Sequence, residues 1–169
     1  MAEQKNISLE KIKEQFVSYG IPKELMETEN AGGREILVIE MGGKENFPED
    51  CNISICRFSE DSMALQLMVS VIGGLEKDLS EDISRLLPAL NSGLRIGNFG
   101  LLAEEGFFYL DHAFLADGLS EEMVFDSLII CFELLISAAV GCRELLEPLI
   151  SRKKSIEEID PDDFRIIRI

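Results

Sequence analysis

Met63-Ala64-Leu65-Gln66-Leu67-Met68-Val69-Ser70-Val71-Ile72 decides the fold. Met63, Leu65, Leu67, Val69 and Val71 fall at every second position, with Gln66 and Ser70 between them. That alternation is a β-strand with one face in a core and the other turned away from it. On this reading a carboxylate at Leu65, Leu67 or Val69 unfolds the chain, and one at Gln66 or Ser70 is tolerated.

Upstream, Asn52 to Phe58 reads as a second strand joined to the first by the turn Ser59-Glu60-Asp61-Ser62. Glu35 to Met41 is a third, apolar at successive positions, which predicts cover on both of its faces. The stretch 27–34, ending in Ala31-Gly32-Gly33, reads as loop, as does Gly42 to Asp50. Ser8 caps a helix whose apolar face is Leu9, Ile12, Phe16 and Tyr19, and Gly20-Ile21-Pro22 stops it. Downstream of Gly73-Gly74 the period changes. Ile83, Leu86, Leu87 and Leu90 line one helical face, with Asp78 or Ser80 as cap, a kink or second half at Pro88, and closure at Asn91 to Gly93. Leu94 to Ala103 and Gly106 to Ala116 form a hairpin around Glu104-Glu105. Ser120, followed by two glutamates, opens a long helix to about Leu146, and Pro148 with Arg152-Lys153-Lys154 ends the folded body. The expected fold is α+β: an antiparallel sheet of about five strands with helices packed on it, order α-βββ-α-ββ-α. It occupies one domain, 1–150. The tail 151–169 ends in Phe164-Arg165-Ile166-Ile167-Arg168-Ile169, the composition of an edge strand. It is expected to cover a sheet edge or an apolar groove.

The 169 residues carry 16 Lys+Arg against 32 Asp+Glu, a net charge of −16. Five basic and five acidic side chains balance in the tail, so the whole excess lies in 1–150. Carboxylates in that excess repel phosphate and anionic lipid, so neither nucleic acid nor a membrane surface is an expected partner. The start, Met1-Ala2-Glu3-Gln4-Lys5-Asn6, lacks the basic segment and apolar run of a signal peptide. Leu128 to Val140 is apolar, yet it is short for a membrane span and holds Glu133. A cytoplasmic location is expected, and the four cysteines read as ordinary buried thiols.

Catalytic chemistry has little to stand on. His112 is the one histidine and shares a strand face with Phe108, Leu110 and Phe114, the setting of a half-buried, hydrogen-bonded side chain. Asp111 and His112 point to opposite faces, so they do not begin a metal site. Gly42-Gly43-Lys44 is followed by Glu45 and lacks the P-loop spacing, and Asp160-Pro161-Asp162-Asp163 lacks the closing Glu of a calcium loop. No enzyme activity, cofactor or metal is expected. The informative excess is apolar: Met123 to Ile136 leaves almost no polar helix face, which predicts a core helix covered on more than one side, by the sheet or by a second subunit.

Leu86-Leu87-Pro88-Ala89-Leu90-Asn91, then Gly97-Asn98-Phe99-Gly100-Leu101, Phe107-Phe108-Tyr109-Leu110 and Gly118-Leu119-Ser120-Glu121 follow one another in order. This series resembles the bacterial YbjN-like family, which shares the fold of type III secretion chaperones, and the first half of the chain fits the same plan. The resemblance covers about 8–150; the greasy last helix and the 151–169 tail depart from it. It implies a compact α+β domain, a homodimer, that binds an extended segment of another protein or acts as a regulator. Leu86, Leu90, Phe107, Tyr109 and Phe132, with Phe164 and Ile166 of the tail, form the candidate partner or dimer surface. Two other readings stand beside this one. One is a small-molecule sensor with a pocket between sheet and long helix, lined by His112 and the cysteines; the other is a purely structural homodimer.

Overall fold

The computed structural model describes residues 7–43, 51–59 and 62–160. In chain order the elements are α1 (Leu9–Tyr19), β1 (Met26–Ala31), β2 (Arg34–Glu40), β3 (Asn52–Ser59), β4 (Ser62–Ile72), α2 (Lys77–Gly93), β5 (Asn98–Leu102), β6 (Phe107–Leu115) and α3 (Glu121–Ile150). Short 3₁₀ turns occupy Lys23–Leu25 and Ile156–Glu158. All strand pairs are antiparallel, and the sheet order is β1-β2-β3-β4-β6-β5. The fold is thus α+β: among the described residues, an open six-stranded sheet with three helices.

The added strand is β1, where the sequence alone indicates a loop over 27–34. Its residues, Met26-Glu27-Thr28-Glu29-Asn30-Ala31, are exposed after Met26, so no apolar periodicity announces a strand. It exists because Gly32 and Gly33, at φ 60° and 81°, form the two-residue turn that returns the chain onto β2.

Alternation on β4 holds. Leu65, Leu67, Val69 and Val71 are buried, and the register carries their face across the sheet to Leu37 and Ile39, Ile53 and Ile55, Leu110 and Phe99. All three helices pack on that inner face: α1 through Leu9, Ile12 and Phe16, α2 through Leu79, Ile83, Leu86 and Leu90, and α3 along β4 and β6. Phe16 meets Phe132 of α3 at 4.9 Å between ring centroids. Ser70 is not the neutral outer-face position its polarity suggests. It is 8% exposed, and its hydroxyl accepts the Asn52 N–H at 2.8 Å. A β-bulge between Ser70 and Ile72 ends the regular pairing, and Arg143 of α3 donates to the Val71 carbonyl at 2.7 Å.

Helix ends obey local chemistry with adjustments. Ser8 and Ser120 accept the N–H groups of Lys11 and Met123, as read from the sequence. α2 starts earlier than expected, with Glu76 rather than Asp78 or Ser80 at the cap. It runs through Pro88 to Gly93, and β5 is correspondingly short, because Leu94 to Gly97 are connection rather than strand. α3 continues through Pro148 to Ile150. Of the tail, residues 151–160 turn back onto the body: Arg152 reaches Glu76 and Asp78 at 2.6 and 2.9 Å, and Ile156 and Ile159 pack against the core. The rest, with the expected edge strand at Phe164 to Ile169, lies outside the described residues.

Candidate protein-docking surfaces

Because the described helices share one side, the other side of the sheet is open among the described residues. Its residues follow from the register: Glu27 and Glu29 on β1, Ile36 and Val38 on β2, Ser54 and Cys56 on β3, Gln66 and Met68 on β4, Phe107, Tyr109 and Asp111 on β6, and Gly100 and Leu102 on β5. Ile36 and Val38 alternate with buried Leu37 and Ile39 and are only half-buried, so the expected cover on both faces of β2 is present on one.

The apolar part of this face centres on β6. Phe107 and Tyr109 are half-buried and stack with ring centroids 5.8 Å apart. The Tyr109 ring lies across Gly100, where a Cβ would fall 2.4 Å from the Tyr109 Cζ, so only glycine admits it. Beside the rings, a depression of about 340 Å³ is lined by Asn52, Ser54, Met68, Ser70, Gly73 and Phe107. A polar seam borders it: the Cys56 thiol donates to the Gln66 carboxamide oxygen at 3.8 Å, and the Gln66 amide donates to Asp111 at 3.0 Å.

The two sheet edges are treated differently. On β5, the Asn91 carboxamide donates to the Phe99 carbonyl at 3.0 Å and accepts the Phe99 N–H at 2.7 Å. One side chain from α2 thus answers both outward backbone groups of a residue that a neighbouring strand would bond. On β1 nothing plays this part among the described residues. The two-residue turn makes Ala31 and Arg34 a hydrogen-bonded pair, so Glu29 and Glu27 bond inward to β2. The N–H and C=O of Thr28 and Asn30 then face outward.

The candidate surface residues separate accordingly. Leu86, Leu90 and Phe132 are 5%, 0% and 5% exposed and belong to the chain's own core, so they offer nothing to a partner. Phe107 and Tyr109 meet on the open face, while Phe164 and Ile166 lie outside the described residues. His112 sits on the inner face beside Leu67, its ring 6.4 Å from that of Phe114, and burial lowers its pKa against the pull of Asp111. Burial raises the thiols of Cys131 and Cys142, and that of Cys56 against the nearby Arg34, so none of these three is an activated nucleophile. A second apolar groove, of about 520 Å³, runs between α1 and α3 past Tyr19, Phe125 and Ile130, where the Tyr19 hydroxyl donates to Glu133. The sequence reading missed Glu27, Glu29 and Gly100 as surface-building residues, and it noted Asn91 only as a helix end. The cue for the first two was the period-two charge pattern before Gly32-Gly33.

No protein-family model, curated protein or solved structure matches the chain.

Proposed function

We propose that the chain is a non-enzymatic protein-binding domain of the cytoplasm, chaperone-like or regulatory. It holds an extended or apolar segment of a partner protein against the open face of its sheet. One observation supports this reading: the described helices cover one side only, and the other presents Ile36, Val38, Tyr109, Phe107 and Met68, the last two lining a depression. Half-buried aromatic groups beside a shallow hollow suit apolar side chains of a partner, and the polar seam supplies orientation. The resemblance to the YbjN-like family and to secretion chaperones supports the same function.

The test is a photo-crosslinking amino acid placed at Phe107, at Val38 and, as a comparison, at Ile130, in cells of the native source. The proposal expects crosslinks to a partner polypeptide at Phe107 and Val38 that a Tyr109→Ser exchange removes without loss of the folded state. Crosslinks confined to Ile130 place binding in the α1–α3 groove and reject it. Crosslinks only between two copies of the chain identify a structural homodimer. A retained small molecule with no polypeptide identifies a sensor.

A further inference from the structure

We propose that the edge of β1, which no described residue covers, takes up an extended segment of a partner protein carrying Lys or Arg at alternate positions. The inference rests on the protein-binding reading but concerns the edge rather than the open face. A sheet edge is a row of unpaired donors and acceptors, and any extended chain can satisfy it. The edge at β5 is occupied at Phe99 by the Asn91 carboxamide. The edge at β1 offers Thr28 and Asn30, and residues 27–31 are all exposed.

Side chains on β1 select the occupant. Glu27 and Glu29 lie on one face, two positions apart, and neither forms an ion pair among the described residues. A strand laid antiparallel along β1 sets its own alternate side chains directly opposite these two carboxylates. Opposite charges there stabilise the pairing and like charges oppose it. A second copy is therefore a poor occupant. Two-fold pairing centred on Thr28 puts Glu27 of each protomer against Glu29 of the other, and pairing centred on Glu29 puts that residue against itself. Each chain also brings a net charge of −16. The same glutamates that bar self-pairing match Lys or Arg on a different chain.

The test uses the full chain labelled with ¹⁵N and two capped octapeptides, one alternating Lys and Thr, the other Glu and Thr. Amide exchange at Thr28 and Asn30 is followed by NMR. The proposal expects the Lys peptide to slow both amides at least tenfold, and the Glu peptide to leave them unchanged. In E27K/E29K the net charge is still −12, from −16 plus two changes of two. Its affinity for the Lys peptide should fall on the order of tenfold, and the Glu peptide should begin to bind. Thr28→Pro removes an outward N–H and should weaken binding while leaving β1 paired to β2.

Lys-peptide binding that spares the Thr28 and Asn30 amides, or that survives E27K/E29K, is general attraction to an acidic protein and overturns the proposal. So does protection of those amides in the free chain together with a dimeric mass, because a second copy then holds the edge. Phe107→Ser should leave this binding intact, so failure of the open-face reading and failure at the edge are told apart.

Discussion

Replacing Asn91 by Ala removes one side chain that does two jobs at the β5 edge. Its carboxamide makes hydrogen bonds of 2.7 and 3.0 Å with the Phe99 backbone, and Phe99 itself is 3% exposed. Two such bonds at about 1 kcal/mol each give a loss of about 2 kcal/mol. In a chain of this size that lowers Tm by roughly 4–8 °C. Asn91→Asp keeps the acceptor for the Phe99 N–H but sets a carboxylate against the Phe99 carbonyl, so at neutral pH it should cost at least as much as Ala. Urea denaturation measures the loss, and hydrogen exchange at the Phe99 amide locates it. The open edge should also make the Ala variant self-associate with rising concentration, because β5 has fewer charges than β1 to prevent it. If Tm moves by less than about 1 °C and the Phe99 amide keeps its protection, the carboxamide does not hold the edge and the contrast between the two edges collapses.

Other expectations are as specific. Gly100→Ala places a methyl group 2.4 Å from the Tyr109 Cζ, so the ring must leave β5. With no Trp and only 2 Tyr in the chain, a change in tyrosine fluorescence reports it, and an unchanged spectrum refutes the stacking. In the native protein a thiol reagent should modify half-buried Cys56 first and leave Cys142, whose thiol burial pushes up strongly, untouched until unfolding; fast labelling that persists in Cys56→Ser contradicts this order. His112 should titrate below the ordinary histidine value of about 6.5. A depressed folded-state value means its contribution to stability is present above that pH and lost as pH falls through the folded value. An NMR midpoint at about 6.5 would abolish this dependence, and one above it would reverse the sign.

What the sequence made legible tracks where burial imposes a period. β4 is readable because Leu65, Leu67, Val69 and Val71 all meet helices on one side, and α1 because Leu9, Ile12 and Phe16 do. β1 has one buried residue, Met26, so its strand nature comes from pairing with β2 and from a glycine turn, and neither is written as hydrophobic alternation. Ser70 misled for a related reason: its polarity indicates solvent, yet its hydroxyl is spent on the Asn52 N–H inside the sheet. From sequence, Leu86, Leu90 and Phe132 qualify for a partner or dimer surface because an apolar side chain looks the same whether its own core or a partner covers it. Only the three-dimensional count of faces separates the cases, and it moves those three inward and leaves Phe107 and Tyr109 outside.

The same count of faces accounts for α3. By length and composition it is a helix apolar enough to cross a membrane. In the fold, Val124, Phe125, Leu128, Phe132, Leu135, Leu146 and Leu149 are buried, and β4 and β6 lie beneath the helix. Drawing α3 into a bilayer would uncover Leu65, Leu67, Val69 and Leu110 and break the bond from Arg143 to the Val71 carbonyl. It would also carry the exposed Asp126, Glu133 and Glu144 toward hydrocarbon, where a carboxylate costs about 2.5–3.5 kcal/mol at the centre. The apolar composition of α3 is therefore matched to the sheet it covers, and its acidic outer ridge to water. With that helix committed to the inner face, no described helix remains for the outer one. The stacked rings of Phe107 and Tyr109 on that outer face therefore stay half-buried, with no described helix over them.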